Sequence, residues 1–184
     1  EGDGRFYKAE LYYKKYDRLA LVEKGTVDAA EVLTSGGYGY SKGFDLFFND
    51  RVLLKNLEYQ LSYTYNIAKR KFQEYTELTT PQYATQHNAS LVLKYSIPRI
   101  GTIVGLTNRF SSGRPYHNPD LPGLMNDHVK PYNSLDLGLT FLPSKKVIIH
   151  ASATNILCRK NEFGRVNNKA ILASNDHFFY IGVF

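Results

Sequence analysis

Tryptophan is absent, and the 184 residues hold a single cysteine and a single methionine. One cysteine excludes an internal disulfide framework. No apolar run approaches the roughly 20 residues of a membrane-spanning helix. The first residues lack a basic stretch followed by an apolar one, so no signal peptide is read within the chain. There is no low-complexity tract and no collagen-like period, and at 14% aromatic the chain is too aromatic to be disordered. What is present is a net charge of +6 (23 Lys and Arg against 17 Asp and Glu) and a hydrophobic content of 43%. The aromatics are lopsided, 15 Tyr and 11 Phe. Length alone suits one ordinary soluble domain; the tyrosine excess argues against it.

The informative signal is a period of two. In Leu57–Ile67 every odd position is apolar or aromatic and every even position is polar. A helix would mix the two sets, whereas a strand sends them to opposite faces. Tyr132–Phe141 sets Leu135, Leu137, Leu139 and Phe141 against Ser134, Asp136, Gly138 and Thr140. Asn88–Ile97 repeats the pattern. Noisier alternation marks Arg5–Tyr16, Tyr38–Phe48, Thr102–Ser112, Val147–Ile156 and His177–Phe184. The reading is all-β: about eight antiparallel up-and-down strands and no convincing helix.

The links alternate in length. Asp50–Asn56, Pro98–Gly101 and Pro143–Lys146 are short, and Ala20–Gly36, Ala68–Gln86, Gly113–Pro131 and Leu157–Asp176 are long. Transmembrane β-barrels have short turns at one end and long loops at the other. A soluble sandwich also alternates. Two features favour the barrel. The polar faces are rich in small Ser, Thr, Gly and Asn. The apolar faces carry aromatics near strand ends, among them Tyr7, Tyr13, Tyr40, Tyr95, Phe178 and Phe184, and tyrosine favours a membrane–water interface.

Several segments resemble one family. Gly37-Tyr38-Gly39-Tyr40-Ser41-Lys42-Gly43-Phe44-Asp45-Leu46 is similar to its glycine-spaced strand, with Asp45 where a Glu is usual. His87–Leu91, Phe110-Ser111-Ser112-Gly113-Arg114-Pro115-Tyr116, Tyr132–Leu137 and Ala153–Leu157 resemble further segments, and Cys158-Arg159-Lys160 departs from the pattern. The family is the TonB-dependent outer-membrane receptors, especially those of the Bacteroidetes type, and the resemblance is to the C-terminal part of their β-barrel. It implies that residues 1–184 are a segment of a larger barrel of about 22 strands, with no plug recognisable within them. It implies nutrient import (a metal chelate, vitamin, glycan or peptide) and no enzymatic activity. The alternative is a stand-alone small barrel with a structural or adhesive role. The resemblance also implies residence in the bacterial outer membrane. The partners would be its lipid and lipopolysaccharide, the barrel-assembly machinery, a nutrient ligand, and TonB through a plug. Phe178, Tyr180 and the terminal Phe184 resemble the signal read by that machinery. The terminal Phe would then lie at the periplasmic end, which makes the four long links extracellular.

Candidate chemistry is sparse. Arg114, Tyr116 and His117 open a long polar loop and, with Arg109 on a neighbouring polar strand face, are the candidates for ligand contact, because loops on a rigid scaffold carry binding. His87, His117, His128, His150 and His177 show no metal-ligand spacing, so no metal or cofactor is expected. Asp136 and His150, with Ser134 and Ser152, invite a Ser-His-Asp reading, but a triad is recognised by geometry; a hydrogen-bond network on the lumen face is the plainer expectation. Lys69-Arg70-Lys71 sits where a strand enters a long loop and could meet lipid phosphates. With no nucleic-acid motif beside it, the positive charge does not point to nucleic acid.

Overall fold

The computed structural model describes residues 4–24, 31–166, 169–172 and 177–184. Residues 25–30, 167, 168 and 173–176, parts of two of the long links, lie outside the described residues. The strands are β1 Arg5–Lys24, β2 Glu31–Leu54, β3 Leu57–Lys71, β4 His87–Ile97, β5 Thr102–Ser111, β6 Pro115–Tyr116, β7 Asp127–His128, β8 Tyr132–Ser144, β9 Val147–Thr154, β10 Glu162–Val166, β11 Lys169–Leu172 and β12 Phe178–Val183. Among the described residues the only helical turn is a 3₁₀ turn at Pro98–Ile100. Eight strands form one antiparallel sheet in the order β1-β2-β3-β4-β5-β8-β9-β12. The other four make two small ribbons, β6 with β7 and β10 with β11, inside the long connections.

Cross-strand register carries the alternation from strand to strand. Tyr7 pairs with Phe48, Phe48 with Leu61 and Leu61 with Leu91, so one face collects apolar side chains. Leu93, Leu106, Leu137 and Ala153 continue that face. Thr64, Asn88, Ser111 and Tyr132 line the other. Among the described residues nothing covers the apolar face: Leu11 is 85% exposed and Ile181 73%. The buried hydrophobic residues that are described are Leu21, Ala68, Ala84, Tyr116 and Val129, all towards the long-loop end. A soluble sandwich would bury its apolar strand faces in a core; here they require an apolar solvent instead. Strand length agrees, since a tilted spanning strand needs about 9–11 residues and β4 and β5 have 11 and 10.

The short-turn end is tighter than the alternation suggests. The β2–β3 ladder runs down to Leu54 opposite Leu57, leaving Lys55 and Asn56 as the turn, with Asn56 at φ 64. Asparagine tolerates that left-handed conformation because its side chain hydrogen-bonds locally. The 3₁₀ turn joins β4 to β5 through Gly101 at φ 58, and Ser144 pairs directly with Val147 between β8 and β9.

Two readings change. The link expected at Ala20–Gly36 is mostly strand, since β1 continues to Lys24 and β2 begins at Glu31. Register shifts between Tyr16 and Leu21, with Arg18 at φ 57, break the alternation there. A bulge of this kind moves side chains to the opposite face, and so the strand loses its period-two signature without ending. The second change concerns the aromatics placed on an apolar face at the chain's end. Phe178 and Tyr180 pair with Thr154 and Ser152, on the polar side, and Tyr180 lies 6.3 Å from the His150 ring. Phe179, Ile181 and Val183 instead pair with Ala153, Ala151 and Ile149 on the apolar face. Phe184 exchanges both backbone hydrogen bonds with Ile148, which puts it with Phe178 and Tyr180. Both parities of this strand are hydrophobic, so only its pairing with β9 fixes which one faces outward.

The sheet is open among the described residues. β1 and β12 are its two edges and do not pair with each other.

Candidate functional site

The long connections after β3, β5 and β9 gather at one end and brace each other. Residues 72–86 fold back onto the first hairpin, where the Val22 N–H donates to the Gln73 carbonyl at 2.8 Å and the Gln73 N–H donates to the Ala20 carbonyl at 2.7 Å. Arg70 and Thr79 exchange backbone hydrogen bonds at 2.8 and 3.2 Å. The same connection reaches the next one: the Thr79 hydroxyl donates to the Leu124 carbonyl at 3.1 Å, and the Leu124 N–H donates to Glu77 Oε1 at 3.0 Å.

The connection between β5 and β8 is ordered by its own polar side chains. The Asn126 amide donates to the carbonyls of Asn118, Leu121 and Gly123 at 3.0, 2.7 and 2.9 Å. Asp127 accepts from the Tyr116 hydroxyl at 2.6 Å, the Asn118 amide at 3.0 Å and the His128 N–H at 2.7 Å. These three donors hold the Asp127 carboxyl down to about 2, and the Asp127 hydrogen bond pushes the Tyr116 hydroxyl up. A carboxyl depressed on folding stabilises the fold above its unfolded pKa, and that contribution is lost as pH falls through the folded one. With an unfolded value of about 3.9, the β6–β7 ribbon is expected to hold unchanged down to about pH 4 and to loosen between about pH 4 and 2. Amide exchange across 115–128, corrected for intrinsic rates, measures this. Asp127→Asn should show the looser ribbon already at neutral pH and remove the acid transition.

The connection after β9 starts at Asn155, whose N–H donates at 2.9 Å to Asp136 on β8; Asp136 also accepts from the Ser134 hydroxyl at 2.8 Å and is ion-paired with Arg109. Asn161 exchanges hydrogen bonds with the Asn133 backbone at 2.9 and 3.0 Å, and Phe163 stacks on Tyr132 at 5.9 Å. The Arg114 guanidinium lies over the Phe163 ring at 5.5 Å. Arg114, Phe163, Lys130, Tyr132 and Glu162 line a cavity of about 220 Å³. A wider cleft of about 540 Å³ opens between Lys69, Thr80, Gln86, Ser112 and His128.

The candidate ligand residues therefore occupy different positions. Arg114 reaches a cavity with a second cation, Lys130, beside it. Tyr116 is 3% exposed with its hydroxyl given to Asp127, so it anchors the loop from within. His117 is exposed on the same loop. Arg109 stands on the polar sheet face with Asp136, outside the Arg114 cavity. The Ser-His-Asp combination does not assemble: Ser134 donates to Asp136, whereas His150 Nδ1 bonds the Thr140 hydroxyl at 2.9 Å. Among the described residues no three His, Cys, Asp or Glu side chains are placed to hold a metal ion. One cluster escaped the sequence reading. Arg70 packs over the Tyr16 ring at 4.2 Å and donates to the Tyr83 hydroxyl at 2.5 Å. Strand parity within Lys69-Arg70-Lys71 was the available signal, because it sends the middle residue to the other face.

No protein-family model and no curated protein matches the chain. Solved structures do. The outer membrane transporter YddB from Escherichia coli superposes with a TM-score of 0.73 at 13% identity, over 100% of this chain and 30% of its own. The siderophore receptor PiuA from Acinetobacter baumannii gives 0.73 at 15% identity, over 99% of this chain and 26% of its own. The FrpB iron transporter from Neisseria meningitidis gives 0.74 at 12% identity, over 100% and 29%. The antiparallel eight-stranded sheet has the fold of a section of the β-barrel of these proteins. At these identities the likeness is one of fold, and the chain spans less than a third of the length of these neighbours. These neighbours are an outer membrane transporter, a siderophore receptor and an iron transporter.

Proposed function

We propose that residues 1–184 form part of the barrel wall of a TonB-dependent outer-membrane receptor, of the Bacteroidetes type, that imports a scarce nutrient such as a metal chelate, vitamin, glycan or peptide. The observation that carries this is the open sheet. Eight meandering strands leave both edges, β1 and β12, unpaired within the described residues, and backbone groups facing lipid must be hydrogen-bonded. Further strands on both edges meet that requirement; an eight-stranded barrel closed on itself would pair β1 with β12. The long-loop end is then extracellular, and Arg114 and His117 are its ligand-facing residues. The polar sheet face, with Arg109 and Asp136, lines the lumen against a plug from elsewhere in the protein. Phe178, Tyr180 and Phe184 form the strand read by the assembly machinery. The protein has no catalytic role in this scheme.

The test is uptake. Deleting the gene should abolish growth on at least one nutrient from a panel of iron chelates, corrinoids, glycans and peptides supplied as limiting source, and deleting the cell's TonB should abolish the same growth. Arg114→Ala should weaken uptake of that nutrient with the protein still present in the membrane. Growth unchanged on every compound, or uptake indifferent to TonB, would remove the proposal.

A further inference from the structure

The connection between β5 and β8 brings two cations together from its opposite ends. Pro115 pairs with His128, and the Val129 N–H donates to the Arg114 carbonyl at 3.0 Å, so Arg114 and Lys130 flank the base of one closed ribbon. Gly113 permits the approach, since a Cβ there would run into the Val129 carbonyl oxygen. Both cations line the cavity of about 220 Å³. That cavity stands at the long-loop end of the polar sheet face, where Ser111 of β5 pairs with Tyr132 of β8 and both join its lining.

Neither cation is neutralised. Among the described residues neither side chain has an ion-pair or hydrogen-bond partner. Glu162, the carboxylate of the lining, is held by Arg165 at 3.1 Å. Arg109, two residues before Ser111 on the same face of β5, is paired with Asp136.

The other polar groups of the lining differ in what they have left to give. The Thr85 and Ser111 hydroxyls both donate to Asn88 Oδ1, at 2.8 and 2.7 Å. The Ser112 hydroxyl oxygen instead accepts from the Gln86 and His87 N–H groups at 2.9 and 3.0 Å, which leaves its own hydrogen to donate. The Phe163 ring, stacked on Tyr132, carries the Arg114 guanidinium on its face. A guanidinium stacked in this way keeps its N–H edge for a planar acceptor. Two N–H groups of that edge, the Lys130 ammonium and the Ser112 hydroxyl make four donors, which matches the roughly four lone-pair sites of a carboxylate.

We infer that this cavity binds a free carboxylate of the imported nutrient, with Arg114 and Lys130 as its charge partners. The inference rests on the import reading above and narrows its nutrient to acidic chelates, acidic vitamins or peptides, against neutral glycans.

The test uses the full protein purified in detergent, with citrate as the probe and maltose as its neutral counterpart, read by saturation-transfer NMR. Wild type should bind citrate and not maltose, and raised salt should weaken the binding. Arg114→Gln and Lys130→Gln should each weaken citrate binding by about tenfold or more, as loss of a hydrogen bond to a charged group does. Lys130 is exposed, so its replacement leaves the fold intact, and Lys130→Arg should keep the binding. Lys146→Gln removes the same charge at the β8–β9 turn, at the other end of the sheet, and should bind as wild type does. Citrate unbound by wild type, or weakened equally by Lys146→Gln, would overturn the inference. Displacement of citrate by an equal concentration of inorganic phosphate would overturn the assignment to a carboxylate. In cells, a neutral nutrient imported through TonB with its half-saturating concentration unchanged by Lys130→Gln would sink the inference and leave the import reading standing. Absence of any TonB-dependent nutrient would instead remove that reading itself, so the two failures are distinct.

Discussion

Replacing Asp50 by alanine should lower the midpoint of heat unfolding by roughly 5–10 °C in detergent. Asp50 ends the regular part of the β2 ladder, and its side chain is 1% exposed. One carboxylate oxygen accepts the N–H groups of Val52 and Leu53 at 2.7 and 2.8 Å. The other accepts the Tyr7 hydroxyl at 3.2 Å and Arg5 Nε at 2.8 Å. Between Asp50 and Leu54 the ladder is irregular, and the carboxylate supplies acceptors that β-pairing does not supply there. Alanine would leave two backbone donors and a hydroxyl without partners, and such groups cost more unpaired than the bond gains when made. Arg5 adds less, because its side chain is 43% exposed and water screens the pair. Asp50→Asn keeps one acceptor for the two N–H groups and should fall between wild type and alanine. An unchanged midpoint for Asp50→Ala would mean that water serves these donors equally well.

Most of the fold was legible because a sheet with one apolar and one polar face writes its faces directly into sequence. Leu57–Ile67 shows this best: every odd residue is on the outward face in β3, and the strand was placed from alternation alone. The signal failed where its physical basis fails. Around Tyr16–Leu21 register shifts remove the period while backbone pairing continues, so the strand there carries no alternation. In Phe178–Phe184 both faces are hydrophobic, and alternation cannot choose between them; pairing with the small residues Ala151 and Ala153 of β9 does.

The loop end was less legible for a different reason. Its order comes from single side chains bonding to groups at irregular short separations within the loop, as Asn126 and Asp127 do, and such contacts have no sequence period. Tyr116 illustrates the limit. A tyrosine in a polar loop suggests a ligand contact, yet its burial depends on Asp127, 11 residues on, and on Arg165, whose guanidinium lies 5.7 Å from the ring centre. The division of Lys69-Arg70-Lys71 between two faces, by contrast, followed from parity once β3 was known to extend through Lys71.

Glycines in the strands give the second large effect, with a built-in contrast. Gly43 lies between Tyr12 on β1 and Asn66 on β3. The Tyr12 ring crosses over it and donates its hydroxyl to Asn66 Oδ1 at 3.1 Å, where the Ser41 hydroxyl also points at 2.7 Å. A Cβ at position 43 would stand 2.8 Å from the Tyr12 hydroxyl oxygen and would run into the Tyr65 carbonyl oxygen. The ring could swing away, but the carbonyl belongs to the adjoining strand, so β2 and β3 would have to separate. Gly43→Ala should therefore reduce the folded fraction in the membrane on the order of tenfold or more, read from gel mobility of unheated against heated samples. Tyr12→Ala should fail to rescue it, because the carbonyl remains. Gly138 is also a strand glycine, yet a Cβ there meets nothing within 4 Å. Alanine at 138 restricts the unfolded chain without a clash, so Gly138→Ala should fold at least as well as wild type. Equal losses at 43 and 138 would show that glycine is needed in these strands for backbone freedom; the close approach of Tyr65 requires that they differ.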